Sequence, residues 1–534
     1  MKNKRHLTIY GALLFALFSC SSDDETVQER IEHQVPSPAA ITESKEGTDF
    51  LTFSLKDANG CQTDAFLIDD SCVHITVNQE SDLTKLTAVF SHSGAEVLLD
   101  STAQESGAQS HDFSDFTKPL VYRVIASDGK SKARKVILYD LPVLVVNTPG
   151  RVPITSRTER TEGCTVSLIH TDGETEELGT AAIRGRGHST WEEEKKPYDV
   201  KLDKKHEVLG MKASKHWILL ANCYYDRTQM HNATAFEMAR MTDYPWVQSG
   251  THVELIMNGS HQGLYYLCEK VRVEKGKIDI TPMDTTDLSG YNLSGGYLIE
   301  SYVLKGNVTD YPFMTKYFNR TGYEFQWTLA WKVNEPDGGQ SIPKEQLNYI
   351  EASMNEMEKL IYDDESLKTG AYRDYLDIET AINWFLVEES AINEEASRTK
   401  NVFMYKDRGG KFRMGPPWDF DAWSFGHAGT ERFYFMDWAL YYRQLFKDPV
   451  FVTRLKEKWE EYHPLWEQHI PEFIDAQVAR IRRSALRNEQ MWSRWISVND
   501  YPKKSYDACI AEMKRDFLLQ QKWLDSIFQD LGLE

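Results

Sequence analysis

The sequence predicts a multidomain α+β protein: an all-β sandwich first, then a β-rich lobe and an α-rich lobe with a cleft between them. Three observations carry this reading. All 14 Trp lie at or after Trp191, which divides the 534 residues into two kinds of domain. From about residue 48 to 140 apolar residues alternate in short runs separated by turn residues, whereas beyond about 343 they recur every three or four residues. At roughly 100–200 residues per domain, the length suggests about three domains.

The sandwich is read from the runs Phe50–Leu55, Val73–Val77, Leu86–Phe90, Tyr122–Ala126 and Lys135–Tyr139, with Asp128-Gly129 as the hairpin turn between the last two. A second β-rich region runs from about 142 to 305, interrupted by a helix over Asn232–Met241 that places Ala235, Phe236, Ala239 and Arg240 near one face, with Glu237 at a neighbouring angle. Val253–Gly259 and Gly263–Glu269 read as paired strands joined by the loop Asn258–Gln262. Leu347, Ile350, Met354, Met357 and Ile361 open the helical part, and similar stripes recur at 372–396, 450–495 and 505–530. Trp384, Trp459 and Trp466 sit in such stripes and read as core.

Composition excludes several classes. Against 61 basic side chains stand 81 acidic ones, a formal charge of −20, which argues against a nucleic-acid partner but not against a basic cleft. With 41% hydrophobic and 27% charged residues the chain is ordinary globular protein. The first apolar run, Ile9–Phe18, is too short to span a bilayer, and no later run approaches about 20 apolar residues.

That run follows Lys2, Lys4 and Arg5 and closes with Leu17-Phe18-Ser19-Cys20, and so resembles a bacterial lipoprotein signal. The resemblance implies residues 1–20 as a signal peptide, acyl chains on Cys20, and a membrane anchor, at the outer membrane and on the cell surface. Residues 21–45 read as a flexible tether, and its start, Ser21-Ser22-Asp23-Asp24-Glu25, resembles the surface-export signals of Bacteroidetes lipoproteins. Residues 46–141 then resemble the small Ig-like modules that precede the working domain of such lipoproteins, a spacer or adhesion role. In an oxidising compartment Cys61, Cys72, Cys164, Cys223, Cys268 and Cys509 are allowed to pair, and Cys61 with Cys72 could close a small loop. No two Cys lie at C-x-x-C spacing, which argues against a thiolate zinc site.

Four patches carry candidate chemistry. In Ile183-Arg184-Gly185-Arg186-Gly187-His188-Ser189-Thr190-Trp191, bare backbone amides and guanidinium forks suit a phosphate, although a solvated Arg-Gly hairpin reads the same. In Lys195-Lys196-Pro197-Tyr198-Asp199-Val200-Lys201-Leu202, an inward Lys201 would pair with a phosphate and a helix Glu such as Glu237, and an outward one would be a solvated strand face. The segment Trp384–Tyr405, with its carboxylates and amides, could hold a metal or accept a proton, or be an idle acidic helix end. Trp418-Asp419-Phe420-Asp421, after a proline pair, puts two hard oxygen ligands in a constrained turn, which suits Mg²⁺ on nucleotide phosphates as well as a turn capped by Asp.

Taken in order, these patches are similar to the CotH kinase family of spore-coat proteins and their bacterial relatives, from about 143 to 530. The similarity rests on Arg184 to Trp191 followed by Lys196-Pro197-Tyr198; on Trp217 to Asn222 with Asp226 and Asn232; on Asn258-Gly259 with Gly263-Leu264-Tyr265 and Glu269; and on Lys400-Asn401 through Asp421. It implies an atypical protein-kinase-like bilobal domain, with a β-rich lobe at 142–305 and an α-rich lobe at 306–534, that binds ATP with Mg²⁺ or Mn²⁺ and phosphorylates a secreted or surface protein.

Carried over by that resemblance, Asp419 and Asp421 hold the metal, Asp419 directly; Lys201 pairs with phosphate, with Lys196 as the alternative, and Glu237 is its helix partner; Arg184, Arg186 and Glu269 belong to the nucleotide site. Asn393 and Glu395 fall where many relatives have an Asn and then an Asp in the catalytic loop. The longer Glu moves a base by roughly 1 Å, which can cost about 10²-fold in a reaction governed by positioning. The rival reading is therefore a kinase-like surface protein of weak or absent activity that binds a glycan or a protein.

Overall fold

In a computed structural model the described residues are 45–222, 226–304, 312–317, 328–336, 342–426, 439–493 and 504–531. Cys20, the apolar run before it and most of the tether lie outside them. The chain is mixed α+β. Its N-terminal β-rich part has two sheets, one ordered Gln62–Asp64, Phe50–Lys56, Leu86–His92, Ser110–His111, the other Leu67–Ile68, Cys72–Thr76, Ser131–Tyr139, Val121–Ile125, Glu96–Leu99, Thr102–Ala103. Period-two alternation turns Phe53, Leu55 and Phe90 of the first sheet onto Val73, Ile75, Val124 and Val136 of the second, forming one core. The Asp128-Gly129 turn is present, with Gly129 at φ +83° and the Ala126 amide donating to the Lys130 carbonyl at 2.8 Å. Cys61 and Cys72 are not joined: both are free, each held in a separate turn by its own backbone amide, Cys61 to Asp57 and Cys72 to Asp69.

Next comes a closed barrel of seven strands, ordered Val143–Asn147, Thr161–Ile169, Thr175–Gly185, Tyr198–Val208, Met211–Leu220, Ser260–Glu269, Gly250–Met257, with the last pairing in parallel with the first. Its interior is filled by Val166, Leu168, Ile183, Trp217, Leu219, Leu255 and Leu267. On Tyr198–Val208 the side chains of Tyr198, Val200 and Leu202 point inward, so Asp199 and Lys201 face out. The expected five-residue loop Asn258–Gln262 is a two-residue turn. Asn258 (φ +55°) and Gly259 (φ +81°) supply the left-handed pair that a tight hairpin needs, and the second strand begins at Ser260.

The helix His231–Arg240 begins and ends one residue before the predicted span, and starts where Asp226 accepts the His231 amide at 3.0 Å. Its Ala235, Phe236 and Ala239 pack with Leu264 and Tyr266 in the main core. A five-stranded antiparallel sheet follows, ordered Pro312–Phe313, Thr328–Glu335, Tyr297–Leu304, Phe403–Lys406, Phe412–Met414; four of its strands lie after residue 305. Around it are the helices Lys344–Tyr362, Ile378–Ser390, Pro449–Met491 and Tyr506–Asp530, matching the helical stripes. Ile350, Met354, Met357 and Ile361 are fully buried, as are Trp384, Trp459 and Trp466. Among the described residues no helix is long and apolar enough to cross a membrane.

Candidate nucleotide and metal site

The Asp-x-Asp turn is held by the aromatics around it. Trp418 stacks on Phe236 of the helix His231–Arg240, with ring centroids 6.0 Å apart and an interplanar angle of 16°; Phe420 meets the same ring edge-on. The Phe420 amide donates to Asn232 Oδ1 at 3.0 Å, so that helix positions the turn from both sides. Asp419 sits at φ +71° and accepts at Oδ2 from Asn401 Nδ2 at 2.5 Å. Ile392, Thr399, Asn401, Asp419, Trp423, Phe425 and Leu440 all have positive φ: seven of the thirteen such non-glycine residues among the described residues fall in this short stretch. Left-handed backbone at bulky residues costs free energy and persists where surrounding structure enforces it, commonly at ligand sites.

Asn393 caps the short helix Glu394–Ser397, its Oδ1 accepting from the Glu395 amide at 3.1 Å and the Ala396 amide at 3.3 Å. Its Nδ2 donates to Glu388 at 2.9 Å and to the Asp419 carbonyl at 3.4 Å, so the acid-bearing helix and the Asp-x-Asp turn share one amide. Glu395 pairs with Lys400 at 3.2 Å, and the Glu394 amide donates to the Trp423 carbonyl at 3.0 Å.

Burial, and then the negative charge of Glu395, push the Asp419 carboxyl up to about 6, against the pull of Arg186. Burial raises Asp421 well above its ordinary range, and the charges of Asp419, Glu395 and Asp226 add to this. Such crowded, desolvated acids are in electrostatic conflict that a cation relieves, and their oxygens suit a hard divalent ion. Among the described residues, three His, Cys, Asp or Glu ligand atoms lie within 4.8 Å of one another only at Asp69, Cys72 and His74. The Asp419 site therefore fits an ion held by one or two carboxylates and completed by water or phosphate oxygens, the habit of Mg²⁺.

Facing outward on the barrel, Asp199 gathers three cations on its Oδ2: Arg160 at 2.8 Å, Lys270 at 2.9 Å and Arg184 at 3.2 Å. Burial works against its charge, yet Lys270 and Arg160 overcome it and hold the carboxyl well below the usual range. Three cations on one carboxylate leave two positive charges over. Two residues beyond Arg184, Arg186 lies over the Trp418 ring at 5.3 Å, and its charge acts on both Asp419 and Asp421. A basic wall thus runs along the barrel strand up to an acidic turn.

Other sequence-derived candidates engage other partners. Lys201 and Glu237 do not meet: strand alternation leaves Lys201 exposed on the outer face, while Glu237 bonds Arg240 at 2.7 Å and His469 at 2.9 Å. Lys196 donates to the Trp191 carbonyl at 2.5 Å and lies over that indole. Glu269 is buried, accepting from the Ser249 amide at 3.0 Å and pairing with Lys277 at 3.5 Å. Arg160, Asp199, Lys270 and the bond from Asn401 were not singled out from the sequence. Arg160 is 39 residues from Asp199, and the antiparallel pairing of three consecutive barrel strands brings them together. A cavity of about 650 Å³ opens elsewhere, lined by Arg373, Asp377, Glu379, Arg408, Lys411 and Arg413 among others and by neither Asp419 nor Asp421.

A family model, CotH kinase protein, matches residues 183–516, more than half of the chain. The chain belongs to the CotH kinase protein family. No curated protein matches it. The CotH match starts at the barrel strand that carries Arg184 and ends within the helix Tyr506–Asp530, so Arg184, Arg186, Asn393, Glu395, Asn401, Asp419 and Asp421 all lie inside it. A kinase-like function follows from membership in the CotH family.

Proposed function

We propose that this CotH protein is an atypical kinase that uses ATP with Mg²⁺ or Mn²⁺ to phosphorylate a hydroxyl of a secreted or surface protein. The observation that carries the reading is the meeting of two charge arrays: Arg186 lies against the turn that bears Asp419 and Asp421, and two residues before it Arg184 joins the surplus of cations around Asp199. Arg184, Arg160, Lys270 and Arg186 neutralise phosphate oxygens, and Asp419 and Asp421 hold the cation. When bound, that cation supplies positive charge to the transferring group. Glu395 orients the acceptor hydroxyl, while Asn393 and Asn401 hold Glu395 and Asp419 in register.

The remaining assignments belong to the same reading. Residues 1–20 are the signal, lipids on Cys20 anchor the protein at the outer membrane and the cell surface, and residues 21–45 are the tether. The N-terminal β-rich part is an Ig-like module, a view supported by its two facing sheets and the parallel pairing of Cys72–Thr76 with Ser131–Tyr139. The lobes on either side of the cleft are those of a kinase-like bilobal domain. A second reading, a weakly active scaffold that binds a glycan or a protein, draws on the engagement of Glu395 by Lys400 and on Trp423, which is 41% exposed beside it.

Calorimetric titration of the protein with ATP, in Mg²⁺ or Mn²⁺ and then in chelator, tests the first reading. Metal-dependent binding that is lost in Asp419→Asn is the expected result. Absence of binding with every metal would overturn it in favour of the second.

A further inference from the structure

The Asp69-x-x-Cys72-x-His74 segment lies at the seam between the N-terminal sheet and the barrel. In the strand Cys72–Thr76, Val73 and Ile75 turn into the core, so Cys72 and His74 project together from the opposite face. That face carries Tyr139, which packs with Val143 and Ile256 of the barrel. The preceding turn brings Asp69 over the same face: its Oδ1 accepts the amides of Ser71 and Cys72, each at 2.7 Å, which fixes the carboxylate and aims Oδ2 at His74.

The ligand atoms of Asp69, Cys72 and His74 all lie within 4.8 Å of one another. Asp69 Oδ2 and His74 Nε2 are 3.2 Å apart. With metal–oxygen and metal–nitrogen bonds of about 2.0–2.1 Å, the edge of a tetrahedral zinc site is about 3.3 Å, so the pair is spaced for a shared ion as well as for a hydrogen bond. His74 Nδ1 is 2.8 Å from the buried Tyr139 hydroxyl, the outer partner that a metal-binding imidazole needs to fix its tautomer. His74 is 2% exposed while the Asp69 side chain is 32% exposed, so three ligands form a base that is open on the Asp69 side.

We propose that Asp69, Cys72 and His74 form a zinc site with a fourth position open to water or to a donor from a partner. One carboxylate oxygen, one thiolate and one imidazole form a borderline-soft donor set that selects Zn²⁺ over Mg²⁺. Binding releases the Cys72 proton and shifts the single His74 ring proton from Nε2, where it faces Asp69, to Nδ1, from which it donates to Tyr139. The site is separate from the Asp419 turn and stands whether or not the chain is a kinase.

The test is equilibrium dialysis of the full chain against Zn²⁺ in excess Mg²⁺, repeated in Asp419→Asn so that the acidic turn contributes nothing. One Zn²⁺ per chain is expected in both, with affinity lowered at least about 100-fold in Cys72→Ser and in His74→Gln. Co²⁺ in place of Zn²⁺ should give a thiolate charge-transfer band that is absent from Cys72→Ser. Because a variant can fail by misfolding, alkylation of Cys72 in the unaltered chain, mapped by mass spectrometry, is the deciding measurement: Zn²⁺ should block it. Equal alkylation with and without Zn²⁺, or zinc affinity unchanged in both variants, would overturn the proposal.

Discussion

Asn401 donates to Asp419 at 2.5 Å, joining two residues that both sit at positive φ, +58° and +71°. The bond ties the loop after Glu395 to the Asp-x-Asp turn, so Glu395 and the Asp419 carboxylate move as one unit. Asn401 is to Asp419 what an outer partner is to a metal ligand: it sets direction.

Asn401→Ala should therefore lower metal-dependent ATP binding by about 10–100-fold with little change in thermal stability, because the site and not the core loses a contact. Titration calorimetry beside a melting curve checks this. An unchanged affinity would remove Asn401 from the site.

Asp419 also makes the metal-free protein pH-sensitive. Its folded carboxyl is raised to about 6 from 3.8, so the folded state holds a proton that the unfolded chain has already released. Stability is then highest below about pH 4 as far as this group is concerned, and falls as pH rises towards 6, by on the order of 3 kcal/mol in total. Asp421 acts in the same direction. A divalent cation cancels the penalty, so the Mg²⁺-induced rise in melting temperature should be larger at pH 7 than at pH 5. Equal rises at both would contradict the site.

The long helix Pro449–Met491 fastens the N-terminal sheets to the barrel through Arg487, which donates to the Leu138 carbonyl at 2.5 Å and to Glu254 at 2.6 Å. Arg487→Ala removes the guanidinium from buried Glu254 and leaves it His261, at 2.7 Å, and the Ser484 hydroxyl. A loss of about 3–5 kcal/mol in urea unfolding is expected. Hydrogen exchange in Ser131–Tyr139 should quicken in the same variant, since the bond to Leu138 is lost with it.

Lys201 supplies the contrast. Exposed on the barrel and remote from Glu237, it should tolerate Lys201→Ala with a stability change within about 0.5 kcal/mol and with ATP binding close to that of the parent. Arg186→Ala should instead weaken binding, since Arg186 lies against the Asp-x-Asp turn. The two titrations run side by side separate the barrel's solvated outer face from the edge that meets the Asp-x-Asp turn.

Local pattern made much of this legible. The alternation in Lys135–Tyr139, the helical stripe through Ile350 and Met357, and the Trp418-Asp419-Phe420-Asp421 turn are all short-range features, because side-chain period and turn chemistry depend on neighbours within a few residues. The Asn258-Gly259 dipeptide carries its own turn signal, while the polar residues Ser260, His261 and Gln262 that open the next strand give no strand signal of their own. The family resemblance, too, came from motif order along the chain.

Three-dimensional closure decided the rest. The sequence by itself determined where strands, helices and candidate ligands fall. It did not determine that Asp199 collects Arg160, Arg184 and Lys270, that Glu237 answers to Arg240 and His469, or that Asn401 bonds Asp419. Each of those outcomes depends on which way a strand faces once a seven-stranded barrel closes, or on which loops meet when helices pack. Such pairings are set by the burial of whole apolar faces, and the charged groups then take the partners that burial leaves beside them.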